Sequence, residues 1–283
     1  MIKKYISITK PGIIFGNLVT VAGGFFLAAK YNVSLPLLSG TLIGISFIIA
    51  SGCVFNNVID ADIDSIMSRT QNRVMVQKQI SKPIALLYAV ILGVVGGTSL
   101  VVFANYLTLY IALVGLFFYV VVYTLGFKRN SVYGTLVGSI SGAVPPIVGY
   151  CAVSNQIDAG AIILFIMLVI WQMPHSYAIA IFRFQDYESA KIQVLPVAKG
   201  TRAAKINIIV YCILFALTSP LLYCYHYAGV YYLLVSSAIS IWWVKLAFDG
   251  LKATDDIKWA RKVFGFSLIV IMSLSLMMSI NPI

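Results

Sequence analysis

Asn56, Asp60 and Asp64 stand four residues apart within the stretch NNVIDADIDSIMSRTQNR. On a helix, positions i, i+4 and i+8 share one face, with neighbouring Cβ atoms about 5–6 Å apart. Two carboxylates that close repel each other, and beside a membrane they are poorly solvated. A divalent cation offsets that cost, because a hard cation such as Mg²⁺ takes oxygen ligands, commonly one or two carboxylates plus substrate phosphates. Arg69 and Arg73 follow at once, and arginine suits bidentate phosphate contacts. The stretch therefore reads as a metal-diphosphate site, with Asn56, Asp60 and Asp64 as metal ligands. The competing reading is a solvated loop with scattered charges, and Asp62, off the shared face, fits that one.

Three further groups could join this chemistry. HSYAIAIFRFQDYESAK offers Asp186 as a second acidic partner, with Arg183 and Lys191 beside it. YVVVYTLGFKRN places Tyr119 and Tyr123 four apart, followed by Lys128 and Arg129. Cations there could stabilise a diphosphate leaving group, although interfacial tyrosines and topology-setting basic residues explain them equally. WQMPHSY puts His175 and Pro174 inside an apolar run. An ionisable group within a span is a functional candidate, and its alternative is support of the proline kink. Pro145-Pro146, among glycines, predicts a broken helix lining a cavity.

These groups need elements to position them, and composition says which. The 283 residues are 60% hydrophobic and only 10% charged, with mean hydropathy +0.95. A soluble domain carries about 25% charged residues, so the chain reads as an all-α polytopic membrane protein in a lipid bilayer. The formal charge of +11 does not indicate nucleic acid, because the basic residues lie in short loops and form no basic domain. Cys53, Cys151, Cys212 and Cys224 form no CxxC pair and read as small buried hydrophobes.

A span needs about 20 apolar residues, and nine candidates fit: 13–29, 35–57, 84–104, 106–126, 134–153, 159–182, 205–225, 229–248 and 264–281. With the N-terminus inside, 19 of the 20 basic residues fall on the cytoplasmic side, Lys30 excepted. The positive-inside rule then predicts N-terminus in and C-terminus out. Eight of the nine acidic residues share that side, Asp158 excepted. Acidic residues are not sorted by that rule, so their clustering marks a polar, metal-capable face. Acid-then-basic segments follow both the second span (Asp60 to Lys82) and the sixth (Asp186 to Lys205), a faint internal echo. Lys3, Lys4 and Lys10 precede the first run without a convincing cleavage site, which favours a bacterial inner-membrane chain inserted through its own first helix. Residues 1–283 read as a single domain.

NxxxDxxxD followed by RTxxR, with nine spans, resembles the intramembrane prenyltransferases of the UbiA superfamily. TKPGIIFGNL, KRNSVYGTLVGSISGAVPPIVGYCAV, WQMPHSYAIAIFRFQDY and VLPVAKG are similar, within it, to the branch that farnesylates haem. The resemblance covers essentially the whole chain. It implies a UbiA-type helix bundle, transfer of a prenyl group from a diphosphate, and Mg²⁺ held by two Asp-rich motifs. Asn56, Asp60 and Asp64 match the first motif; Asp186 matches the later Asp of the second, where Phe182 occupies the position four earlier. It further implies farnesyl diphosphate and haem b as substrates, farnesylation at the 2-vinyl group with water supplying a hydroxyl, and contact with haem A synthase or oxidase assembly. Asp60, Asp64 and Asp186 become the catalytic acids. Arg69, Arg73, Tyr123, Lys128, Arg129, His175 and Arg183 join Asn56 as substrate-binding candidates. Two other readings share some of these residues. A prenyltransferase for a quinone precursor would differ only in its acceptor pocket. An ion-coupled carrier would place its polar residues near the midplane, whereas here they gather at one interface.

Overall fold

The computed structural model describes residues 2–283. Among them, nine helices are long and apolar enough to cross a membrane: Pro11–Ala29, Leu35–Ile59, Lys82–Phe103, Tyr106–Asn130, Gly134–Ser154, Ala159–Phe182, Thr201–Cys224, Val230–Lys252 and Asp256–Ile280. They are numbered as spans one to nine. Several overrun the apolar runs expected from sequence. The ninth begins at Asp256 because Asp255 caps it, accepting from Lys258 N at 2.9 Å. Charged residues can be helical once they are clear of hydrocarbon.

Small residues let these helices approach closely. A Cβ on Gly149 would lie 2.0 Å from the Val21 carbonyl oxygen, and one on Gly24 would lie 2.0 Å from that of Pro146. Spans one and five therefore cross almost backbone to backbone. Spans two and three do the same at Gly44 and Gly96, and Ser51 Oγ donates across that contact to Ala89 O at 2.7 Å. The residues turned outward on spans three and four, such as Val94, Val102 and Phe117, are large and apolar. That is the face a bilayer solvates.

Two spans depart from regular α-helix, and both departures shape the interior. The fifth breaks between Gly134–Gly142 and Val144–Ser154, as Pro145-Pro146 predicts. The fourth passes into a π-helix over Phe118–Phe127. One correction concerns the cysteines: Cys53, Cys151 and Cys212 are buried, but Cys224 is exposed. It ends the short turn Leu221–Cys224 after Pro220, where the chain faces outward.

Candidate active site

A cavity of about 870 Å³ opens among spans one, two, four, five, six and nine. Asn56, Asp64, Arg69, Arg73, Tyr123 and Lys128 line its polar end, and Trp171, Gln172 and His175 its far wall. Span two ends at Ile59, and a short helix, Ala61–Ile66, follows. Asp60 lies at the junction. Asp60 N still bonds Asn56 O at 2.9 Å and Asp64 N bonds Asp60 O at 2.8 Å. The four-residue register therefore survives the break, and the three side chains keep a common face.

Every acid here is buried and matched with a cation. Asp60 is fully buried, Asp64 is 2% exposed and Asp186 is 9% exposed. Asp60 Oδ2 accepts from Lys128 Nζ and from Asn56 Nδ2 (2.6 Å). Arg73 Nη1 donates to Asp64 Oδ2 at 2.5 Å. Ser68 Oγ donates to Asp186 Oδ1 at 3.0 Å, and Arg69 Nε lies 3.8 Å from Oδ2. The two acid-then-basic segments thus meet, the loop after span two reaching the carboxylate after span six. Among the described residues no three His, Cys, Asp or Glu side chains gather closely enough to hold a metal. Buried carboxylates need opposite charge close by, and here each has drawn its own basic neighbour. Asp60 Oδ1 has no hydrogen-bond partner; its nearest cation is Arg129 Nη2 at 3.8 Å. Buried hard-oxygen donors, one of them unsatisfied, suit a divalent cation.

Four expected residues do not line the cavity: Asp60 and Asp186 sit just behind it, against the lining residues Asn56, Lys128 and Arg69, while Arg129 and Arg183 stand apart from it. Arg129 grips Asp62 through both nitrogens, at 2.7 and 2.8 Å, and donates to Ile59 O at 2.8 Å. It borders a separate groove with Lys82, and its hydrogen bonds hold the Asp62 carboxyl below the usual range. Arg183 is exposed and lies over the Phe182 ring at 5.7 Å. Asn56 is engaged through both of its side-chain polar atoms. Its Oδ1 accepts from Lys10 Nζ at 2.6 Å and its Nδ2 donates to Asp60 and, at 3.2 Å, to Thr124 Oγ1. With oxygen and nitrogen both engaged, it positions Asp60.

Lys10 is the residue that sequence reasoning read only as a topology signal. It precedes Pro11 in a left-handed conformation, φ 54°, and its amine lines the cavity. Burial lowers its pKa to about 8. The TKPG motif was the available signal. The π-helix was also unforeseen. It brings Thr124 Oγ1 within 2.7 Å of Tyr119 O and stacks Tyr119 on Tyr123, centroids 6.1 Å apart, with both rings lining the cavity.

The far wall is built by spans six and nine. The His175 ring stacks on Trp171 and packs against Phe264, with centroids 4.8 Å away in each case. His175 Nδ1 lies 2.8 Å from Ser267 Oγ, whose own hydroxyl donates to Phe264 O at 2.6 Å. A hydroxyl has one proton to give, so His175 Nδ1–H is the donor to Ser267. Nε2 is left as the free acceptor on a ring that lines the cavity. Trp171 Nε1 donates to Ser267 O at 3.0 Å, tying the same residue to both rings.

The sequence profile of the UbiA prenyltransferase family matches residues 17–270. The chain belongs to this family. Curated relatives include the protoheme IX farnesyltransferases of Pectobacterium atrosepticum, 56% identical over 99% of this chain and 95% of theirs, and of Photorhabdus laumondii, 55% identical over 100% and 96%. Among solved structures, a digeranylgeranylglyceryl phosphate synthase aligns with TM-score 0.79 at 19% identity, covering 98% of each chain. A UbiA homologue from Archaeoglobus fulgidus bound to GPP and Mg²⁺ aligns at 0.73 and 15%, covering 98% of this chain and 99% of its own. The all-helical, nine-span UbiA fold expected from the motifs is therefore this chain's fold, and its class is an intramembrane prenyltransferase. The branch read from the motifs is the one for which these relatives are named.

Proposed function

We propose that this UbiA-family enzyme transfers a farnesyl group from farnesyl diphosphate to the 2-vinyl group of haem b, with water supplying a hydroxyl, to give haem O for terminal oxidases. One observation carries the reading: a cavity joins a buried acid–base cluster at its polar end to a wall bearing His175 with Nε2 free. The first suits a diphosphate and the second an iron macrocycle, and the relatives' names agree.

Asp60, Asp64 and Asp186 are the residues that would hold Mg²⁺ in company with the diphosphate oxygens, which would supply the ligands the three acids are too far apart to provide alone, and Asn56 orients Asp60 toward that task. Bound there, Mg²⁺ supplies positive charge against the diphosphate leaving group. Arg69, Arg73 and Lys128 turn from their acid partners, and Lys10 from the Asn56 amide, to the phosphate oxygens as charge builds on them. The stacked Tyr119 and Tyr123 present ring faces to the allylic cation and keep water from it. The electron-rich vinyl carbon attacks that cation. The positive charge passes to the macrocycle-stabilised carbon, and water adds there with loss of a proton. His175 orients the acceptor through the iron. With the polar end cytoplasmic, as the basic residues imply, diphosphate and product stay on the inner side of a bacterial inner membrane. Delivery to haem A synthase or oxidase assembly extends the same reading.

The test is direct. Membranes containing the chain receive haem b, farnesyl diphosphate and Mg²⁺, and the haem extract is read by mass spectrometry. A hydroxyethylfarnesyl adduct that disappears with EDTA is expected. Unmodified haem, with folded protein and a working control enzyme, would sink the reading and favour a quinone precursor as acceptor.

A further inference from the structure

Arg183 and Arg261 lie at the polar ends of spans six and nine. Both guanidinium carbons sit over one phenyl ring, that of Phe182, at 5.7 and 6.0 Å. Neither has a carboxylate within 4 Å among the described residues. The contrast with the neighbouring cluster is sharp, where Arg69, Arg73 and Lys128 are each matched to an acid. Phe182 meets the cavity-lining Phe264 edge to face, at 5.6 Å, and Phe264 in turn packs against His175. A continuous ladder therefore runs from the two exposed arginines through Phe182 and Phe264 to His175. Arg183 lies eight positions beyond His175, about 12 Å along a helix axis.

We infer that Arg183 and Arg261 form a clamp for the two propionates of the haem acceptor. The inference rests on the acceptor proposed above. Carboxylates are costly to bury without partners, so haem entering a membrane cavity keeps its propionate edge at the polar rim. Two guanidinium groups without acid partners, at the polar ends of the two spans that build the His175 wall, match two carboxylates in number and charge, and arginine binds carboxylate through paired hydrogen bonds. The vinyl groups lie on the opposite edge of the macrocycle. Holding the propionates at the rim therefore directs the vinyl edge into the dry cavity, where the allylic cation is released. Phe182 contributes an apolar ring that keeps both guanidinium groups in place without neutralising either.

The test compares haem b with its dimethyl ester, which keeps the vinyl groups and iron but removes both charges. Wild type, Arg183→Gln, Arg261→Gln and the double variant are assayed for the KM of each acceptor and of farnesyl diphosphate. The wild type is expected to show a KM about ten- to a hundredfold lower for haem b than for the ester, the range for charge-assisted hydrogen bonds. The single variants should give intermediate ratios and the double variant a ratio near one. The KM for farnesyl diphosphate should be unchanged in all four. A wild type that farnesylates haem b but treats the two acceptors alike overturns the clamp alone, as does a wild-type ratio in both single variants or in the double variant. A wild type that farnesylates neither acceptor overturns the functional reading, and the clamp with it.

Discussion

Lys10 and Asn56, 46 positions apart, meet through a 2.6 Å hydrogen bond that closes the polar end of the cavity. The amine comes from the turn before span one and the amide from the last turn of span two. Asn56 passes the contact on to Asp60, so one lysine positions an acid and also stands where a diphosphate would lie. Lys10→Met is expected to lower kcat/KM for farnesyl diphosphate by about ten- to a hundredfold, the worth of a charge-assisted hydrogen bond. Lys10→Gly should lose as much activity yet fold well, because φ 54° suits glycine. Steady-state kinetics with a thermal melt on both variants checks this, and full activity of Lys10→Met would remove the lysine from the site.

The spans were legible because crossing a membrane demands a length of apolar residues that little else requires. The acid site was legible because i, i+4 spacing survives the break at Asp60. What stayed hidden depends on distant partners. Nothing near Arg129 in sequence reveals that Asp62, 67 positions away, engages it. Ser267 reads as an ordinary polar residue in an apolar run until span nine brings it to His175, 92 positions away. The π-helix leaves no sequence pattern that propensity detects, whereas the break in span five was announced by its paired prolines.

Asp60 and Lys128 form the most buried ion pair of the site, with side chains 0% and 17% exposed. Asp60→Asn should abolish turnover, by about a thousandfold or more, and should also destabilise the fold by about 3 kcal/mol because Lys128 loses its partner. The two effects separate in the double variant Asp60→Asn/Lys128→Met. Removing both charges should restore the melting temperature and leave the enzyme inactive. Recovery of activity together with stability would make the pair structural only.

Asp62, two residues on, provides the contrast. Its side chain is 65% exposed and its partner Arg129 30% exposed. Exposed pairs contribute about 0–1 kcal/mol, so Asp62→Asn should leave kcat within about twofold and shift the melt little. A loss as large as that of Asp60→Asn would move Asp62 into the catalytic group.

His175 and Ser267 make separable predictions. His175→Ala should raise the KM for haem far more than that for farnesyl diphosphate. Ser267→Ala keeps the imidazole but removes the acceptor that fixes its proton on Nδ1, so a smaller rise of about tenfold, the low end for loss of a ligand-orienting group, is expected. The optical spectrum of bound haem should lose its histidine-ligated character in His175→Ala and retain it, weakened, in Ser267→Ala. Equal loss of both substrates in His175→Ala would assign the ring to supporting the Pro174 kink.

The crossing of spans one and five tests the fold without touching the chemistry. A methyl on Gly24 or Gly149 would meet backbone carbonyl oxygens at 2.0 Å, and backbone cannot step aside as a side-chain end can. Each Gly→Ala change should force the helices apart, at a cost of about 1–3 kcal/mol, and yield less folded protein in the membrane. Gly16→Ala, on span one where a Cβ would meet nothing within 4 Å, should fold as well as the parent or better, since alanine favours helix by about 1 kcal/mol. Thermal melts in detergent decide between the two classes. Tolerance of alanine at Gly149 would mean that spans one and five are not held in backbone contact.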